Sequence, residues 1–94
     1  MMSYRVAWMQ SRGLVPNYEA SMAKTFGTEL HQRMARTAYA TLGLRGQLMD
    51  GAWAPLGGQV PMAVLQTVSL TIAAGTSEIN RNIIATRGLG LPRG

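Results

Sequence analysis

The chain has 94 residues, enough for one small domain or a part of a larger one. Hydrophobic residues make up 47% and charged residues only 14%, against roughly a quarter charged in an ordinary globular domain, so the sequence is built to be covered by something else. The absence of cysteine excludes disulfides and thiolate metal sites and fits a cytoplasmic location, and the net charge of +5 is scattered from Arg5 to Arg93 without the clustering expected of a nucleic-acid partner.

The opening residues, mixed in character and carrying Arg5, are not expected to act as a signal peptide. The longest apolar stretch, residues 60–74, is interrupted by Pro61, Gln66, Thr67, Ser69 and Thr71, and it falls short of the ~20 residues that a membrane-spanning helix needs. No membrane partner is expected.

In chain order, residues 4–12 read as the end of a helix with Tyr4, Ala7, Trp8 and Ser11 on one side. Gly13 stops it and Pro16 prevents its continuation. Asn17 is a capping residue and Glu19 suits a first turn, where the helix dipole favours negative charge. From there to about Leu42 the spacing predicts one long helix of ~26 residues, ~39 Å in length. Ala23, Phe26, Leu30, Met34, Ala38 and Leu42 form its apolar stripe, with Lys24, Glu29, Arg33 and Arg36 off it. Gly43 ends it in the left-handed conformation that glycine tolerates.

Residues 44–60 read as irregular, with Gly46, Gly51, Gly57, Gly58 and Pro55 marking turns. Pro61 fits the first position of a helix running to about Ala73. Met62, Val64, Leu65, Val68, Leu70 and Ile72 nearly encircle that helix, so it is expected to be buried on most sides; its β-branched content leaves a strand as the minor alternative. Gly75 breaks it, Thr76 and Ser77 can cap a new helix, and Glu78 lies in that helix's first turn. Ile79, Ile83 and Ile84 give it an apolar side, and it should end near Gly88. The whole reads as all-α, an antiparallel helical bundle.

Few residues carry chemistry. His31 is the only histidine and reads as a solvated surface residue; with no second histidine and no cysteine, no metal site is expected. Trp8 and Trp53 read first as core packing and second as interface or ligand contacts. The seven methionines suit adaptable apolar packing. Gly75-Thr76-Ser77-Glu78 is the most informative segment. A glycine admits a close approach to the backbone, and the following residues expose unpaired N–H groups at a helix start. From the residues alone, an ordinary hydroxyl-capped helix corner remains the plainer reading.

The segment Ala73-Ala74-Gly75-Thr76-Ser77-Glu78-Ile79-Asn80-Arg81-Asn82-Ile83-Ile84-Ala85, followed by Leu89-Gly90-Leu91-Pro92-Arg93, is similar to the closing signature of the acyl-CoA dehydrogenases. Glu19-Ala20-Ser21-Met22-Ala23-Lys24 resembles the start of that family's long C-terminal helix, and Leu42-Gly43-Leu44-Arg45-Gly46 sits where the family usually has a Gln-x-x-Gly-Gly turn. The resemblance covers nearly the whole chain but only the last quarter or so of a typical member.

The resemblance implies that residues 1–94 form the C-terminal helical domain of a larger enzyme whose N-terminal helical domain and β-domain are missing here. Such enzymes bind FAD and an acyl-CoA thioester and assemble as homo- or hetero-oligomers. A carboxylate removes the α-proton, the β-hydride passes to the flavin, and electrons usually leave to an electron-transfer flavoprotein. Carried over residue by residue, Thr76, Ser77 and Glu78 match positions that contact FAD, and Gly75 matches one lying against the thioester. Ala40, Thr41, Leu42, Gly43 and Leu44 match the turn that touches a neighbouring subunit's FAD.

The sequence departs from the pattern in three places. Ala40 replaces the usual glutamine and Leu44 the second glycine. Ala74 stands where many members carry the catalytic glutamate, and alanine cannot accept a proton, so no catalytic residue is assigned. The alternative function is a non-catalytic helical subunit that binds a partner dehydrogenase chain.

Overall fold

The computed structural model describes residues 1–93. Among them every regular element is helical. This is the all-α class expected, and the strand alternative for residues 61–73 drops out. The chain divides into two compact units, one made of Met1–Gly27 and the chain from Ala74 onward, the other of Thr28–Ala73.

The first unit opens with α1, Met2–Ser11. Gly13 stops it at φ +72°: the Gly13 N–H donates to the Gln10 carbonyl at 3.0 Å and the Leu14 N–H to the Met9 carbonyl at 2.9 Å. That pair of bonds satisfies carbonyls the helix end leaves without partners, and it requires a residue free to adopt the left-handed conformation. No residue of α1 is buried. Trp8 is 56% exposed with the Arg12 guanidinium 5.9 Å from its ring centroid, so the expectation of core packing fails for this tryptophan.

Helix α2, Tyr18–Thr41, begins in the first unit and continues into the second. Its start lies one residue after Asn17, as the capping residue predicts. Its buried positions are Glu19, Ser21 and Thr25, all polar. The Arg5 guanidinium donates to the Glu19 carboxylate at 3.4 Å. Removal from water pushes the Glu19 carboxyl up. Its own backbone N–H, the Tyr18 side chain, the Asn17 backbone and the Arg5 charge together outweigh that and hold it below the ordinary glutamate value.

The first unit closes with α4, Ser77–Ile83, which runs on through a π-helical turn, Ile84–Gly88. The Leu89 N–H reaches back to the Ile84 carbonyl at 3.1 Å, the wider spacing of a π turn. Gly88 packs on the ring of Tyr18; a Cβ there would meet ring carbons at 3.1–3.2 Å.

In the second unit α2 ends at Thr41, two residues before Gly43, which takes the predicted left-handed conformation at φ +59°. The stretch expected to be irregular holds a 3₁₀ turn, Gly43–Gln47, and a second short turn, Pro55–Gly58, whose Leu56 and Gly57 are left-handed at φ +52° and +59°. Gly46 is buried because its Cα faces the Tyr39 carbonyl, 2.9 Å from where a Cβ would stand. Trp53 is 72% exposed with Arg45 stacked 5.5 Å from its centroid, so core packing fails here too.

Helix α3 covers Gln59–Leu70, starting two residues before the predicted Pro61 and ending earlier than Ala73. Left-handed Gly58, at φ +77°, turns the chain into it. Pro61 becomes the third helical residue, where its missing N–H costs nothing because first-turn N–H groups lack helical partners. The expected burial of this helix does not occur: Met62, Leu65, Val68, Leu70 and Ile72 are 40 to 61% exposed, and only Pro61 and Thr67 are buried. The apolar stripe of α2 is likewise open, with Phe26 53% and Met34 60% exposed. Among the described residues no hydrophobic side chain is fully enclosed. The apolar surface is present as the sequence says, and among the described residues it lies open.

Candidate functional site

The corner that leads into α4 opens with two consecutive left-handed residues, Ala74 at φ +54° and Gly75 at φ +89°. Glycine takes this conformation freely, whereas alanine pays roughly 1 kcal/mol for it. Ala74 is exposed, and its methyl offers nothing to a proton.

Thr76 then adopts extended backbone as the cap of α4, its hydroxyl oxygen accepting from the Ile79 N–H at 3.2 Å. Ser77 is buried and Glu78 is exposed. The Glu78 carboxyl is held below the ordinary glutamate value by its own backbone N–H first and by the Thr76 side chain second. Partial desolvation opposes these and the Arg81 charge assists them. Glu78 is therefore an anion at neutral pH, placed where the helix dipole favours one. The Thr76 hydroxyl is engaged on both sides, accepting from Ile79 and serving Glu78.

The sequence reading missed two residues that hold this corner. Asn80 is 5% exposed, and its side-chain amide donates to the Gly75 carbonyl at 3.0 Å and to the Thr76 carbonyl at 2.9 Å. Lys24, on α2, donates to the same Gly75 carbonyl at 2.6 Å. Asn80 was recoverable, since it lies one helical turn from Thr76. Lys24 acts across 51 positions of chain, which no local pattern reports.

The other proposed contact segment, Ala40–Leu44, belongs to the second unit, whereas Gly75–Glu78 belongs to the first. Ala40 and Thr41 end α2, both exposed; the Thr41 hydroxyl bonds back to the Thr37 carbonyl at 2.8 Å. Leu42 is half-buried, Gly43 makes the turn, and Leu44 is 85% exposed. Leu42 also lines an open groove of about 560 Å³ with Leu30, Met34, Ala38, Leu56 and Val60. Arg33, Thr37 and Thr41 complete the lining, and most of the surface it presents is apolar, which suits packing. His31 is exposed on α2, as expected. Among the described residues no helix is long and apolar enough to cross a membrane.

Three kinds of similarity bear on this geometry. The family described as "Acyl-CoA dehydrogenase, C-terminal domain" matches residues 1–89. Acyl-CoA dehydrogenase FadE26 of Mycobacterium tuberculosis is 40% identical over 76 residues, which is 80% of this chain and 19% of that protein. Acyl-CoA dehydrogenase IpdE1 of the same organism is 33% identical over 94 residues, 99% of this chain and 23% of that protein. The solved structure named Tcur3481-Tcur3483 steroid ACAD superposes with a TM-score of 0.90 at 29% identity, over 99% of this chain and 24% of that one. The chain thus spans about a fifth to a quarter of the length of the proteins it matches. With a family match over nearly all its residues, the same helical fold and the corner signature in place, the chain belongs to the acyl-CoA dehydrogenase family and corresponds to its C-terminal domain.

Proposed function

We propose that residues 1–94 serve as the C-terminal helical domain of an FAD-dependent acyl-CoA dehydrogenase and supply one edge of its flavin site and part of its subunit interface. The observation that carries this reading is the family match over residues 1–89, which includes the corner and the turn after α2. FAD, when bound, supplies a two-electron acceptor for the hydride leaving the acyl thioester. This chain's part is binding and orientation. Thr76, Ser77 and Glu78 would face the cofactor, Gly75 the thioester, and Ala40–Leu44 the FAD of a neighbouring subunit.

The groups present fit only part of FAD. The ionised Glu78 carboxylate accepts hydrogen bonds and repels phosphate, so it suits hydroxyl and ring N–H groups of the nucleotide rather than its pyrophosphate. The base that takes the α-proton must come from outside this chain's Ala74 slot. Oligomeric assembly and electron delivery to an electron-transfer flavoprotein belong to the same proposal. The structural relative is named a steroid enzyme, which makes a steroid-type acyl-CoA the first substrate class to try.

The test is reconstitution of the chain with the missing helical and β-domains, followed by flavin fluorescence. Thr76→Ala should weaken FAD retention more than Thr76→Ser at matched folding stability. The serine variant keeps the hydroxyl cap, whose loss costs ~1 kcal/mol and is the confounder. Equal FAD affinity for wild type and both variants would mean that the corner is only a helix turn. The chain would then be better read as a non-catalytic helical subunit that binds a partner dehydrogenase.

A further inference from the structure

The Gly75 carbonyl oxygen receives two donors, Lys24 Nζ at 2.6 Å and Asn80 Nδ2 at 3.0 Å. The Thr76 carbonyl oxygen also receives two, Asn80 Nδ2 at 2.9 Å and the Asn80 backbone N–H at 3.0 Å. A carbonyl oxygen has two lone pairs, so both acceptors are filled. In a trans peptide the C=O and the following N–H point to opposite sides of the chain. Fixing the Gly75 carbonyl toward Lys24 therefore fixes the Thr76 N–H away from it. Fixing the Thr76 carbonyl does the same for the Ser77 N–H. Without such anchors this segment is free to swing, because Gly75 carries no side chain and sits at φ +89°.

The side chains suit the task. Asn80 is 5% exposed and spends its side-chain amide on both carbonyls at once. Lys24 is the only lysine in a chain with eight arginines. Its compact ammonium closes to 2.6 Å on the Gly75 oxygen.

We propose that Lys24 and Asn80 are positioning residues that lock the Gly75 and Thr76 peptides and so fix how the corner faces the cofactor. This rests on the flavin-edge reading above. Neither residue touches the cofactor in this proposal; both act through the backbone of Gly75 and Thr76.

The experiment uses the reconstituted FAD-bound protein and three variants, Lys24→Met, Lys24→Arg and Asn80→Ala, with two readouts. Amide exchange of the peptide spanning residues 75–83 reports the lock itself, and flavin fluorescence reports the FAD dissociation constant. Lys24→Met should quicken exchange of the Ile79 and Asn80 amides and weaken FAD binding, each by about tenfold, the ratio expected for one hydrogen bond from a charged donor. Lys24→Arg should recover part of both, and it also serves as the readout if Lys24→Met does not fold. Wild-type exchange in the Lys24 variants and in Asn80→Ala overturns the proposal. So does quickened exchange in Lys24→Met with wild-type FAD affinity, provided that Thr76→Ala weakens FAD binding. If Thr76→Ala also leaves FAD affinity unchanged, the flavin-edge reading fails, and quickened exchange still upholds the lock.

Discussion

Glu78 links the chemistry of a single residue to the stability of the corner. Its carboxyl is stabilised as an anion by its own N–H and by the Thr76 hydroxyl, so its folded value lies below the value in an unfolded chain. The sign follows directly. The stabilisation is fully present above the unfolded glutamate value, ~4.3, and is lost as pH falls from there through the lowered folded value. An NMR titration should place the Glu78 midpoint below that of a short unstructured peptide, and Thr76→Val should move it up. An identical midpoint in protein and peptide would remove the hydroxyl–carboxylate contact from the account. Much of this corner was legible in the sequence. Gly75 announces a helix break and Thr76 a cap, because those residue types are selected by local backbone needs. Ala74 in the left-handed region was not legible, since alanine carries no signal for it. Lys24 was invisible because its bond is tertiary.

At the scale of elements, the turn before α3 sets where that helix starts. The sequence placed the start at Pro61, reading proline as a first-position residue. The chain instead starts α3 at Gln59, because Gly58 in the left-handed region turns the backbone two residues earlier. Gly57 and Gly58 make a controlled pair. Both have positive φ, but a Cβ on Gly57 meets open space, whereas one on Gly58 would run into the Met49 carbonyl. Gly57→Ala should therefore cost only the backbone penalty, about 1–2 kcal/mol. Gly58→Ala should cost clearly more, since backbone must move to admit the methyl. Thermal unfolding of the two variants side by side checks this, and equal losses would show that the Met49 loop yields freely. The π turn after Ile83 had no sequence signal: its residues extend the helical pattern, and the wider bonding shows in the hydrogen bond from Leu89 back to Ile84.

For the whole molecule, the class and the order of helices could be read from periodicity, but the burial of their apolar faces could not. Periodicity tells which side chains share a face and says nothing of whether the covering surface lies in the same chain. The methionines and leucines of α2 and α3 are open to solvent here. Exposed apolar faces of this kind favour association. The 94-residue chain alone should therefore self-associate, with an apparent mass that rises with concentration in sedimentation experiments. A sharp, concentration-independent melt of a monomer would count against that. The open core also has a calorimetric consequence. The heat capacity gained on unfolding comes from apolar surface newly wetted, about 0.45 cal/K/mol for each Å². Side chains that are wet before unfolding add little to it. A monomeric sample should therefore show a heat-capacity step well below the ~12–15 cal/mol/K per residue of ordinary domains. Association with a surface that covers these faces should carry a large negative heat-capacity change instead, which ties the temperature at which this chain is most stable to the partner surface it meets.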